Sequence, residues 1–235
     1  MTGQKQRSMM TSLPAMATAA AGLALLILAL LRWRENGWEA LVWLSVFAAK
    51  LAIRMPHSLR NRANMVVDAR KDAGEKLLLS AMFAAMMLLP LLHLATPLFA
   101  FADYALPEWA SWIGALAQVP FLWLFWRSHA DLGRNWSPGL EVREEHGLVT
   151  GGIYGRIRHP MYAAIWISAL AQPLLLHNWI GGALVVPAFA AMWFLRVPKE
   201  ERMMAERFGA EWDEYCARTG RLWPAGGRAM IGPQL

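Results

Sequence analysis

The sequence predicts an all-α fold: a polytopic membrane helical bundle of about six transmembrane helices plus a C-terminal helix at the cytosolic interface. Three observations carry that prediction. Of the 235 residues, 57% are hydrophobic and 17% charged, well above and below the proportions of soluble domains. The apolar residues gather in runs close to the roughly 20 residues that a helix needs to cross a bilayer. The basic residues fall almost entirely in alternate connections between those runs. Helices rather than strands follow, because an open strand in lipid leaves its backbone groups unpaired.

The runs are Pro14–Leu31, Trp38–Met55, Leu77–Leu98, Trp109–Trp126, Met161–Leu176 and Trp179–Leu195. The first has a basic lead and could be a signal peptide. It lacks a clean small-x-small site and continues into "RWREN", so it reads as a retained span. The last two are separated only by His177 and Asn178 and read as a tight helical hairpin. With the N-terminus inside, the inner segments 1–13, 54–76, 127–160 and 196–235 hold 20 of the 23 Lys and Arg. Arg32 and Arg34 lie outside, and Lys50 falls within the second span, where snorkelling is expected. The 99–108 loop carries Asp103 and Glu108 and no basic residue. This asymmetry predicts an integral protein of the cell (inner) membrane with both termini cytoplasmic.

The net charge of +6 does not indicate nucleic acid, because the arginines are dispersed between apolar runs with no basic recognition helix. The single cysteine, Cys216, permits no intramolecular disulfide and no Cys-based zinc site, and reads as a small packing residue. His129, Asp131 and Glu141 lack metal-ligand spacing. Their stretch reads as a loop over a pocket, with Asn135 or Trp136 as contributors. His93 beside Pro90 reads as a satisfied polar residue or a kink. The 13 tryptophans suit an interfacial belt. In the tail, Met204, Phe208, Trp212 and Tyr215 recur at helical spacing opposite Glu206, Arg207 and Asp213, which predicts a helix begun by Pro198 and Glu200–Glu201 that lies on the membrane surface or caps a cytosolic pocket.

The chemistry is concentrated in "HGLVTGGIYGRIRHPMY", residues 146–162. Gly151, Gly152 and Gly155 allow turns and close approach to a ligand. Pro160 biases His159 away from helical geometry and suits the first turn of the fifth span. The helix start has unpaired N–H groups that favour anions, and Arg156 and Arg158 add positive charge. The pattern suits a carboxylate or phosphate, or else an ordinary basic loop and helix start. A second cluster, Arg196 and Glu200, is spaced four apart at the same membrane edge. The two share a face if the helix survives Pro198 between them.

Together, "HGLVTGGIYGRIRHPMY" and "RVPKEERMMAERFGAEWDEY" resemble the isoprenylcysteine carboxyl methyltransferase family, related to the membrane phospholipid N-methyltransferases. The resemblance covers roughly residues 127–224. It implies a membrane methyltransferase that uses S-adenosylmethionine (SAM) without a Rossmann-type fold, and the sequence has no G-x-G-x-x-G between strand and helix. It further implies that His146, Gly147, Leu148, Val149, Tyr154, His159, Pro160, Met161, Tyr162 and Glu200 line the SAM site. Arg196 matches the family's substrate-side arginine, and Glu201 completes an acidic pair. Residues 127–235 would then form the cofactor-binding region, and residues 1–126 a substrate-facing scaffold. Ala164 stands where the family often has glycine.

SAM carries an ammonium, a carboxylate and a sulfonium. Glu200 suits the ammonium; the helix start or Arg158 suits the carboxylate; Tyr154 and Tyr162 suit the adenine or sulfonium. The implied acceptor is a lipidic or apolar molecule entering from the bilayer, with an isoprenylcysteine-like carboxylate as one form. A carboxylate needs no general base, whereas an amine would need one, and Glu201 or His159 stand nearest. An NADPH-dependent membrane reductase of the sterol-reductase type, a phospholipid N-methyltransferase and a non-catalytic membrane subunit or transporter remain as alternatives at this point.

Overall fold

A computed structural model of the chain describes residues 20–61, 66–69, 73–133, 141–143 and 147–225. The start of the first predicted span, His146, Asn135 and Trp136 lie outside the described residues. The described chain is predominantly helical. In order it runs α1 (Ala20–Leu31), the single turn α2 (Trp33–Asn36), α3 (Trp38–Asn61), β1 (Val66–Ala69), α4 (Ala73–Phe83) and α5 (Leu89–Ala95). It continues with α6 (Glu108–Leu132), β2 (Glu141–Arg143), α7 (Pro160–Leu175), α8 (Val185–Phe208) and α9 (Ala210–Arg218). β1 and β2 pair antiparallel, Val66 opposite Arg143. Among the described residues, two continuous helical segments are long and apolar enough to cross a membrane, Ala73–Ala95 and Trp179–Phe208; α1 and α7 are shorter apolar helices.

Large apolar side chains cover the outside of the bundle as well as its core. On α6, Trp109, Trp112, Ile113, Leu116, Val119, Trp123 and Trp126 are exposed, while Ser111, Gln118, Ser128 and His129 are buried. An exposed apolar stripe, with the polar side chains buried beside Phe121, Leu124 and Phe125, suits lipid outside and helix contact inside. α6 packs along α7, and Gly114 brings the backbones close: a Cβ there would lie 3.1 Å from Ala171 O. Ala164 is fully buried among Phe121, Phe125 and Val46, so a methyl fits where the related pattern has glycine. Lys50 does not snorkel. It is 4% exposed, with its ammonium 5.6 Å from the centre of the Trp43 ring, a cation–π placement.

Two π-turns interrupt the long apolar helices, Ala84–Leu88 between α4 and α5 and Trp179–Ala183 before α8. Pro90 follows the first and cannot donate a backbone hydrogen bond. Gln172 of α7 serves both turns. Its amide nitrogen donates to Ala85 O at 3.0 Å, Gly181 O at 3.2 Å and Gly182 O at 3.3 Å, and its oxygen accepts from Trp43 Nε1 at 3.4 Å. Wide turns release carbonyls from the regular ladder, and lipid offers them no donor. One buried glutamine supplies it.

The polar connections gather at the two ends of the helices. At one end Asn178 donates to Phe99 O and Asp103 Oδ1, both at 2.7 Å, and Tyr104 N donates to His177 O at 2.9 Å. The tight hairpin expected between α7 and α8 is therefore present and pinned to the 97–104 segment. The other end carries residues 147–160 and 196–221.

The tail departs from a single surface helix. α8 runs through Pro198 without a break, and Pro198 lies on the exposed face with Phe194 one turn earlier. The break comes instead at Gly209, whose φ of +51° ends α8. Met204 and Phe208 therefore belong to one helix and Trp212 and Tyr215 to the next.

Replacing Gln172 with leucine removes a donor from three carbonyls and the acceptor of the Trp43 indole N–H. We expect a loss of about 2–3 kcal/mol of stability, read as a lowered thermal midpoint in detergent.

Candidate functional site

The 147–160 segment is held by three neighbours. Asp131 of α6 accepts Ile153 N at 2.8 Å, and Gly152 has φ +59° with its Cα against that carboxylate, so a Cβ would collide with it. Tyr154 is buried, donating through its hydroxyl to Ser128 O at 3.3 Å and accepting at its carbonyl from the Tyr215 hydroxyl at 2.7 Å. Residues 219–221 form a strap beside the motif: Arg158 N donates to Gly220 O at 2.8 Å and His159 N to Arg221 O at 3.0 Å. Burial pushes the Tyr154 phenol upward and the Tyr215 phenol up to about 12, so both stay neutral donors.

α7 then starts at Pro160, with His159 as its N-cap and no side-chain cap bond. Pro160 has no N–H to satisfy, and the N–H groups of Met161 and Tyr162 fall in the first turn, where an α-helix offers donors to an anion. α8 brings Arg196, Glu200 and Glu201 alongside. The Tyr162 hydroxyl donates to Glu200 Oε2 at 2.7 Å. His159 Nε2 lies 3.1 Å from Glu201 Oε1. Tyr162 and Trp193 meet edge to face at 5.8 Å, and His159 and Tyr162 at 5.5 Å.

Adjacent on one helix, Glu200 and Glu201 point to different neighbours. Glu200 lines a cavity of about 630 Å³, within the range of small-molecule sites. Gly147, Leu148, Val149, Tyr154, Arg158, His159, Pro160, Met161, Tyr162 and Arg196 line it too, so every described candidate except Glu201 converges on one space. Glu201 turns to the strap, accepting from Arg221 Nε at 3.0 Å and Nη2 at 2.5 Å. Burial works to raise the Glu201 pKa, but hydrogen bonds from His159 and Arg221 hold it below the ordinary carboxylate range. A carboxylate so held is a fixed anion and a poor general base.

Arg158 is likewise engaged by groups of the protein itself. Its Nη1 donates to Cys216 O at 3.0 Å and to Thr219 O, and its Nε lies 3.7 Å from Glu201. It caps the C-terminal carbonyls of α9, as a cation does at that end of a helix. Cys216 is half-buried on α9.

Several lining residues were not legible as site residues. Leu51, Leu79, Met82, Phe83, Met86 and Met87 close the cavity with an apolar, methionine-rich wall, adaptable in shape. Arg54 of α3 lines the same space. Glu75, in the first turn of α4, is 1% exposed and lies 3.2 Å from Arg196 Nη1 through Oε1. No spacing rule marks a lone acid ahead of an apolar run. Trp212 and Tyr215 of α9 cover the cavity, in the capping role expected of the tail. Among the described residues, no group of three or more His, Cys, Asp or Glu could hold a metal ion.

Comparison with known proteins gives these residues a context. Residues 116–206 match the model of the isoprenylcysteine carboxyl methyltransferase family. Protein-S-isoprenylcysteine O-methyltransferase A of Arabidopsis thaliana is 30% identical over 145 residues, 60% of this chain and 72% of the relative. Its paralogue B is 30% identical over 156 residues, 64% and 78% of the two chains. The cobalt-zinc-cadmium resistance protein CzcN of Cupriavidus metallidurans is 32% identical over 98 residues, 41% and 45% of the two chains.

Because its folded pKa is lowered, Glu201 contributes strap stability above the unfolded carboxylate pKa of about 4.3, and that contribution disappears as pH falls through the folded value. We expect Glu201→Gln to lower amide-exchange protection of Arg158 and His159 about tenfold at neutral pH, and to abolish the additional acid loosening seen in the parent.

Proposed function

Because the chain belongs to the isoprenylcysteine carboxyl methyltransferase family, a family of membrane methyltransferases, we propose that the cavity binds SAM and that Arg196 receives the carboxylate of a prenylated cysteine. The observation that carries this reading is the convergence of Tyr162, Glu200 and Arg196 on one largely apolar cavity at a single end of the helices. The comparisons favour neither the reductase nor the N-methyltransferase alternative.

The donor set fits the cofactor. Glu200, oriented by the Tyr162 hydroxyl, offers an anion to the ammonium. The first-turn N–H groups of Met161 and Tyr162 offer donors to the carboxylate in place of Arg158, whose guanidinium caps α9. Tyr154, Trp212 and Tyr215 supply aromatic surface, and Leu148 and Val149 an apolar edge. His146 remains a candidate from the motif. When bound, SAM supplies an electrophilic methyl group on a sulfonium.

The protein's part is then alignment. An acceptor carboxylate is ionised at neutral pH, so no side chain has to remove a proton. Arg196 orients it by charge-assisted hydrogen bonds, and the methionine-rich wall holds the apolar chain and keeps water from the nucleophile. Glu201 acts at one remove, by fixing His159 and the strap. The wider proposal is a six-span bundle with both termini and the cofactor site on the cytoplasmic side of the inner membrane. In it, residues 127–235 hold the cofactor and residues 1–126 face the substrate.

Protein purified in detergent should bind tritiated SAM, and Glu200→Ala should weaken binding at least about tenfold, or 1.4 kcal/mol. With N-acetyl-S-farnesylcysteine as acceptor, label should enter a product that releases methanol in base, the signature of a methyl ester. Arg196→Gln should lower kcat/KM for that acceptor by at least about tenfold. Absence of SAM binding at millimolar cofactor defeats the proposal, and base-stable label defeats the carboxylate as acceptor.

A further inference from the structure

Arg196 sits between two carboxylates. Its Nη1 lies 3.2 Å from Glu75 Oε1 and its Nε 3.9 Å from Glu200 Oε2. Glu200 belongs to its own helix, one turn on, and lines the cavity. Glu75 comes from the first turn of α4 and is 1% exposed. A carboxylate there is favoured by the helix dipole, and one so deeply buried is tolerated only when paired. An arginine has several donors in a rigid plane, so a fixed anion on one edge sets where the remaining donors face.

We propose that Glu75 is a positioning residue that divides the two charges of the site: by anchoring Arg196 it keeps that cation for the acceptor and leaves Glu200 to the cofactor's ammonium. Without Glu75, the carboxylate of Glu200 is the anion one turn away on the same helix. A guanidinium drawn to it loses its aim at the acceptor and cancels the charge that attracts the cofactor. The pair also joins α4, outside the segment matched by the family model, to α8 within it. A contact between the two halves thus governs both ligands. This inference rests on the reading of SAM and a carboxylate acceptor given above.

The test is a double-variant cycle on the full chain in detergent, with SAM affinity read by equilibrium binding and acceptor KM with farnesylcysteine. Glu75→Gln should raise the SAM Kd about tenfold and raise acceptor KM more than it lowers kcat. Adding Arg196→Gln should bring the SAM Kd back to within about twofold of the Arg196→Gln single variant, because the guanidinium that Glu75 restrains is no longer there to turn to Glu200. A merely structural Glu75 predicts no such recovery. Glu75→Asp, which keeps the charge with a shorter reach, should weaken SAM binding several-fold with Arg196 present and not at all with Arg196→Gln. It carries the same comparison if Glu75→Gln does not fold. Unchanged SAM affinity in Glu75→Gln, or no recovery in the double variant, overturns the inference while the SAM reading stands. Failure of the parent chain to bind SAM overturns both.

Discussion

The site depends on α8 continuing as one helix past the apolar run and through Pro198. An α-helix turns about 100° per residue, so neighbouring Glu200 and Glu201 address different partners. Glu200 meets the Tyr162 hydroxyl and the cavity; Glu201 meets His159 and Arg221. A break at Pro198 would free both from the frame that also aims Arg196. α8 is nonetheless continuous through that proline, which lies on the exposed face.

Around that frame, polar satisfaction in an apolar setting decides the architecture. Gln172 pairs the carbonyls released by two π-turns, and Asn178 ties the α7–α8 hairpin to the 97–104 segment through the Phe99 carbonyl and the Asp103 carboxylate. Each is a single side chain meeting several groups that lipid cannot meet. These ties lie toward the end of the bundle opposite Glu200. They set how α7 and α8 lie against each other, and so where the first turn of α7 stands relative to Glu200. Stability and site geometry are therefore linked through helix packing rather than through local loop structure.

At the cavity the two sides differ in kind. The motif side offers fixed polar groups, held by Asp131, Tyr215 and the 219–221 strap. The facing wall offers methionine and leucine from α3, α4 and the π-turn after it. Rigid donors suit a small charged cofactor, and a deformable apolar wall suits a flexible chain. Glu75 and Arg196 lie where the two sides meet.

The sequence by itself determined the helical class, the positions of the apolar runs, the segregation of charge to the helix ends, and the glycine-rich motif with its partner around Glu200. These are local: periodicity, run length and residue type at fixed spacing do not depend on what packs against them. Helix ends were less legible, since α3, α6 and α8 outrun their apolar stretches and Gly209 rather than Pro198 ends the last of them. Only the tertiary structure decided that Glu201 faces the strap, that Arg158 caps α9, and that Glu75 reaches Arg196 across 121 positions. Each of those outcomes is set by which long-range partner offers the better charge or hydrogen bond in a buried place. A lone charged residue carries no spacing that could announce it.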